Sequence, residues 1–202
     1  MLSIYELKPR FQNLLRPFVG GLAQVGISAN QVTVFSCIIS IAVGGLLFVF
    51  NQNRLLFFIL PLWMFVRMAL NAIDGMLARE HNMKSSLGAI LNELTDVISD
   101  TALYLPFVLL YEPATFLIIL VIVFSILTEM TGVVAVQIGA SRRYDGPMGK
   151  SDRAFLFGVL ALLWALNVPF GNWYFYIFTI VLFLLLLTIF NRAKMALLEI
   201  KK

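Results

Sequence analysis

Cysteine is almost missing from this chain. Cys37 stands alone inside an apolar run, so no intrachain disulfide supports the fold and the thiol is assigned to packing. Charge is scarce too, at 13% of residues. The single histidine, His81, has no second partner to suggest a metal site, and it falls in a predicted turn. Apolar side chains fill the space instead: 60% of the 202 residues are hydrophobic and the mean hydropathy is +0.91. Soluble domains run at about 45–50% apolar, so a water-soluble globule is excluded and an all-α membrane protein is expected. Lys and Arg number 15 against 11 acids, with a pI near 9.4. In a membrane chain such an excess marks the cytoplasmic loops, and no nucleic-acid partner is inferred from it.

The chain in order supports six transmembrane helices with an N-terminal interfacial amphipathic helix. In residues 4–18, Ile4, Leu7, Phe11, Leu14 and Phe18 recur every three or four positions, with Lys8, Arg10 and Arg16 between them. That pattern predicts a helix lying in the interface over residues 1–20, bent at Pro9 and Pro17. No signal-peptide cleavage site precedes the first long apolar run, near residue 32. Ser28 and Asn30 offer N-caps to a first span over 31–50. Further spans are expected at 54–79, 85–111, 113–140, 154–169 and 173–190, the whole forming a six-helix bundle over 31–190 in one domain of 1–202. A basic tail, 191–202, follows as a surface helix. Lys and Arg gather in the N-terminal arm, 79–84, 141–153 and the tail, while the opposite side has Arg54 alone. Both termini are therefore placed in the cytoplasm, with Trp173, Tyr174 and Tyr176 as an aromatic girdle on the far side.

Against this background residues 71–100 stand out, with Asn71, Asp74, Arg79, Asn92, Glu93, Asp96 and Asp100 in an apolar protein. Buried intramembrane acids are costly unless compensated, which makes them functional candidates. At about 100° per residue, Asn92, Glu93, Asp96 and Asp100 share one face of the third span. Asn71, Asp74 and Ala78 share a face of the second, with Arg67 one turn deeper. The two spans are antiparallel about a turn near residue 82, which sets Asp74 level with Asn92, Asn71 near Asp96 and Arg67 near Asp100. Oxygen ligands at matched depth suit hard divalent cations. Gly75, Ala78 and Gly88 remove bulk beside that face, either for a ligand or for close helix approach.

The run Asp74-Gly75-x-x-Ala78-Arg79, then Gly88, position 92 and Asp96 at fixed spacing, resembles the signature of the CDP-alcohol phosphotransferases (CDP-alcohol phosphatidyltransferases), D-x2-D-G-x2-A-R-x8-G-x3-D-x3-D. The six-span layout and Asn30-x-x-Thr33 at the entry to the first span also resemble that family. The resemblance implies transfer of a phosphatidyl group from CDP-diacylglycerol to an alcohol acceptor, with release of CMP, in phospholipid biosynthesis. It implies Mg2+ or Mn2+ as cofactor and a bacterial inner-membrane homodimer. Residue by residue, Asp96 becomes the catalytic base. Asp74, Gly75, Ala78, Arg79 and Gly88 hold the CDP portion. Asn71, Asp74, Asn92 and Asp96 take the metal positions. Two signature acids are amides here, Asn71 and Asn92. Glu93 and Asp100 lie on the same arc and restore four carboxylates, and Glu93 is the expected replacement ligand for Asn92. Asp100 is either a ligand or a partner of Arg67.

Arg142, Lys150 and Arg153 in the longest polar loop are candidates for binding the acceptor, a small alcohol whose anionic forms, such as a phosphorylated polyol, would suit Arg. The same charges also fit lipid headgroups. Glu129, with Thr128 and Thr131, either lines the cavity or bonds a neighbouring helix. Two other classes stay open. A non-catalytic lipid- or nucleotide-binding paralogue would explain the two Asn. A small transporter would need polar residues on to the far side, but 102–110 is apolar apart from Tyr104.

Overall fold

In the computed structural model, residues 4–169 and 171–201 are described, with side chains from Phe11 onward. The side chains of Ile4, Leu7, Lys8, Pro9 and Arg10, and the whole of Lys202, lie outside that description. The described residues form α-helices and short 3-10 turns and no strand: α1 (Ile4–Gln24), α2 (Ala29–Val49), α3 (Ile59–Glu80), α4 (Ser86–Tyr104), α5 (Thr115–Gln137), α6 (Lys150–Ala165) and α7 (Trp173–Glu199). Among the described residues four segments are long and apolar enough to cross a bilayer, Ala29–Val49, Arg54–Glu80, Glu112–Gln137 and Trp173–Glu199. The two other expected spans are interrupted or short for identifiable reasons. Helix α4 carries Glu93, Asp96 and Asp100 and gives way to a 3-10 turn, Leu105–Leu109, where Pro106 withholds an N–H. Helix α6 has 16 residues, about 24 Å at 1.5 Å per residue, against a hydrocarbon core of about 30 Å. Large apolar side chains face outward along α2, α3, α5 and α7, among them Phe35, Leu62, Phe116 and Phe183. Such continuous exposure is untenable in water and fits a lipid solvent.

The chain divides into two compact units, Met1–Ala42 with Leu62–Ser99, and Val43–Pro61 with Asp100–Lys202. The first unit is built on a core of Leu15, Val19, Ala29, Val32, Ile73, Met76 and Leu77, contributed by α1, α2 and α3. Helix α1 packs through Leu15 and Val19, while Leu14 and Phe18, which the pattern puts on the lipid stripe, point outward at 68% and 67% exposure. The helix therefore has two apolar flanks, and only the outward one was apparent as a stripe. Arg16 ties α1 to the end of α3 through Glu80, at 3.1 and 3.2 Å. The turn between α3 and α4 passes through Asn82 at φ 56°, a left-handed conformation that asparagine tolerates. Ser85 then caps α4 by accepting the Gly88 N–H at 2.9 Å.

The second unit has an aromatic centre. Tyr104 stacks on Phe157 at 3.9 Å, Phe107 meets Phe157 edge-on at 5.0 Å, and Phe57 meets Phe107 at 6.1 Å. Tyr174 belongs to this centre and is buried beside Phe178, so of the expected girdle only Trp173 and Tyr176 face outward. Helix α7 continues through Glu199, so the basic tail is helical as expected and forms its last turns. Its buried stripe, Tyr174, Phe178, Val181, Leu185, Thr188, Arg192 and Ala196, runs without a break from the apolar part into the basic part.

The loop after α5 is pinned to both α5 and α7. The Arg143 N–H donates to the Gly132 carbonyl at 3.2 Å, the Met148 N–H to Thr188 Oγ1 at 3.0 Å, and Arg143 forks onto Asp145 at 2.8 and 3.0 Å. That guanidinium holds the Asp145 carboxyl below its usual pKa. A lowered carboxyl favours the folded loop above its ordinary range, an advantage lost as pH falls through the folded value. Gly146 sits at φ 126°, and a Cβ there would meet Thr188 at 2.6 Å. Gly146→Ala is therefore expected to destabilise the protein by more than about 1 kcal/mol. Gly45→Ala, at a helical site with open space around it, should be neutral or stabilising by about 0.5–1 kcal/mol. Thermal unfolding of both variants in detergent checks the contrast.

Candidate active site

In the first unit, Asp74 is buried, at 6% exposure. Thr33 Oγ1 donates to Asp74 Oδ2 at 2.7 Å while lying 3.0 Å from the Ala29 carbonyl. A hydroxyl has one proton, and the shorter contact to a charged acceptor takes it. Thr33 follows Asn30 by one helical turn, so both project from the start of α2 on one side. Asn30 reaches α4, where its amide lies 3.5 Å from Ser85 Oγ. A Cβ on Gly88 would meet Asn30 Oδ1 at 2.7 Å. Gly88 thus serves the close approach of α2 to α4, a role that small residues often play between membrane helices. At Gly75 a Cβ would lie 3.3 Å from the Arg79 guanidinium, which folds over it. Ala78 packs against the apolar core, whereas Arg79 itself is exposed.

Arg67 is buried in α3 and donates to the Asp96 carbonyl at 3.2 Å and to Asp96 Oδ1 at 3.4 Å. Matched depth set Asn71, not Arg67, opposite Asp96. The arginine stem is long enough to cover the roughly 6 Å of one further turn. Asn71, Glu93 and Asp96 are half-buried, and Asn92 is exposed. Among the described residues no three of His, Cys, Asp or Glu are grouped to enclose a metal ion. The metal candidates of the sequence, Asn71, Asp74, Asn92, Glu93 and Asp96, stand on α3 and α4.

The second unit gathers a different set. Glu129, which the sequence left unassigned, bonds three arginines. Its Oε1 accepts from Arg153 Nη2 at 2.9 Å, and its Oε2 accepts from Arg142 Nη2 at 3.2 Å and lies 3.4 Å from Arg192 Nη1. Arg153 also bonds Thr128 Oγ1 at 3.0 Å and lies 3.5 Å from Asp100 Oδ2. Arg192 Nη1 donates to the Thr128 carbonyl, and the Arg142 guanidinium covers the Tyr144 ring at 4.3 Å. Arg153 and Arg192 are each 1% exposed. Of the acceptor candidates, Arg142 and Arg153 therefore meet at one carboxylate, while Lys150 opens α6, half-buried. In the sequence Arg192 stands among the tail's cationic residues and reads as topological charge. The signal was present, since it follows Thr188 by one turn on the buried stripe of α7.

Comparison with known proteins follows the same lines. The family model for CDP-alcohol phosphatidyltransferase matches residues 27–195. Inner membrane protein YnbA of Escherichia coli (strain K12) is 46% identical over 197 residues, covering 98% of each chain. A phosphatidylinositol phosphate synthase of Mycobacterium bovis is 32% identical over 94 residues, 46% of this chain and 42% of that one. Two crystal structures of the Mycobacterium tuberculosis phosphatidylinositol phosphate synthase PgsA1 share the fold. The complex with manganese and citrate has a TM-score of 0.74 at 20% identity, covering 89% of this chain and 87% of that one. The form with CDP-DAG bound has a TM-score of 0.69 at 21% identity, covering 91% and 92%.

The Thr33–Asp74 bond generates a direct test. Thr33→Val leaves a buried carboxylate without that donor and is expected to cost about 1–3 kcal/mol. Thr33→Ser, which keeps the hydroxyl, should remain within about 1 kcal/mol of wild type. Thermal unfolding in detergent reads both.

Proposed function

The chain belongs to the CDP-alcohol phosphatidyltransferase family, a family of transferases, and on that premise we propose that it moves a phosphatidyl group from CDP-diacylglycerol to a small alcohol. The acceptor oxygen attacks the phosphorus that carries the diacylglycerol. The bond from that phosphorus to the bridging oxygen breaks, and CMP leaves with the electron pair. Asp96 takes the proton of the attacking hydroxyl. Asp74, Gly75, Ala78, Arg79 and Gly88 form the cradle for the CDP portion, with Asp74 held in place by Thr33. Arg142, Lys150 and Arg153 bind the acceptor. The observation that carries this reading is the motif from Asp74 to Asp96, set on two helices joined at the Asn82 turn, with Asp74 buried and bonded. The apolar outer surface supports a lipid-linked donor, and the match of one family model across residues 27–195 supports one functional domain. In this reading the chain crosses a bacterial inner membrane six times, with α1 in the interface and both termini in the cytoplasm.

The donor chemistry fits Mg2+ or Mn2+. Such ions take oxygen ligands and are commonly held by one or two carboxylates, with substrate phosphates and water completing the shell. Asp74 and Asp96 supply two carboxylates, Asn71 and Asn92 neutral oxygens, and Glu93 a third acid. When bound, the cation neutralises the diphosphate and polarises its phosphorus. Arg67 adds a fixed positive charge on Asp96 in the same unit.

A second reading rests on Asn71 and Asn92, which replace two family acids. In it the chain binds nucleotide or lipid without turnover. The experiment is CMP release by purified protein given CDP-diacylglycerol, Mg2+ or Mn2+ and a panel of alcohols. Wild type should release CMP, and Asp96→Asn should reduce the rate by about 100-fold or more. Nucleotide binding with no CMP from any alcohol would favour the second reading. Within the enzyme reading, Glu93→Gln is expected to raise the metal concentration needed for half-maximal activity. An unchanged metal dependence would remove Glu93 from the ligand set.

A further inference from the structure

Three guanidinium groups that converge on one point describe the binding place of an oxyanion, and in this chain the point is already filled. Arg153 takes one oxygen of Glu129, and Arg142 and Arg192 share the other. The supports hold the arginines there. Arg153 is fixed by Thr128 Oγ1 and the Met148 carbonyl at 3.3 Å, and Arg192 Nε by the Asp145 carbonyl at 3.4 Å. Asp100 Oδ2, 3.5 Å from Arg153, adds a second buried acid. Arg142, half-buried and laid on Tyr144, forms the outer arm.

We propose that the Glu129 carboxylate is the resident anion of this arginine cluster, so that the acceptor is an uncharged polyol and not a phosphorylated one. The inference rests on the transferase reading and on its assignment of Arg142 and Arg153 to the acceptor. The charge argument is independent of it. A phosphate brought to the three arginines would meet Glu129 as a like charge and would have to displace it. The carboxylate would then be buried without its partners, the most unfavourable state for an ion in a low-dielectric surrounding. A hydroxyl carries no such conflict. It donates to a carboxylate oxygen and accepts from an arginine N–H, and Glu129 beside the half-buried Arg142 offers both kinds of partner. Glu129 thereby acts as a specificity determinant by repulsion, excluding the charged relative of the substrate.

The test is inorganic phosphate binding to detergent-purified wild type and Glu129→Gln, with chloride balancing ionic strength, read by calorimetry and by thermal unfolding. Wild type should show no saturable phosphate effect up to about 10 mM, and the variant should bind at least roughly tenfold more tightly. Equal affinity in the two proteins, or tight binding by wild type, would overturn the proposal. If Glu129→Gln does not fold, wild type alone decides, because saturable phosphate binding below about 10 mM contradicts a filled site. A second arm compares CMP release with one polyol and its phosphorylated form. Preference for the free polyol supports the inference and preference for the phosphorylated one sinks it. Absence of CMP with either, and with every alcohol of the wider panel, would remove the transferase reading and leave the phosphate comparison to judge Glu129 by itself.

Discussion

An ion in hydrocarbon must bring its counter-ion with it, and this protein is arranged by that requirement. Arg67 sits on Asp96 and Arg153 on Glu129 and Asp100, while Arg192 lies between Glu129 and the Thr128 carbonyl. Asp74 accepts the hydroxyl proton of Thr33. Leaving any of these groups without a partner would be strongly destabilising. Pairing them places the polar chemistry where helices come closest, and the close approaches depend on residues without side chains. Gly44 faces the Ala102 carbonyl, Gly88 faces Asn30, and Gly132 faces the Arg143 carbonyl. Glycine here is a matter of contact distance more than of backbone freedom.

The two polar groupings differ in kind. On α3 and α4 the acids Asp74, Glu93 and Asp96 outnumber the buried base Arg67, the balance that the proposed cation and diphosphate would need. Around Glu129 three bases face two acids, and the oxygens of the central carboxylate are engaged. The first grouping has the character expected of a site that must accept a charged ligand. The second has largely satisfied itself. That contrast, more than the motif, separates the group-transfer region from the region proposed to choose the alcohol.

Much of the fold was legible because lipid imposes a simple grammar. Apolar runs of span length predicted the helices, the polar residues near 82 predicted the turn, and the i, i+4 relation of Asn92 and Asp96 predicted a shared face. Three features were not legible. Helix α1 buries Leu15 and Val19 instead of the more conspicuous Leu14 and Phe18, because both its flanks are apolar and only packing chooses between them. Arg192 read as topological charge, since a buried arginine and a cytoplasmic one look alike until the partner is known. Glu129 offered no local clue to its partners, which lie 13, 24 and 63 residues further along the chain.

The order of residues alone determined the helical membrane class, the motif that carries family membership, and the helices on which Asp74, Glu93, Asp96 and Asp100 stand. These depend on composition and on periods of a few residues, which the chain states directly. Tertiary structure alone decided which base meets which acid. It put Thr33 on Asp74, Arg67 on Asp96, and three arginines on Glu129. Such pairings join helices distant in the chain, and a guanidinium reaches any carboxylate within about one helical turn of its own level. Only the packed backbones choose among those partners.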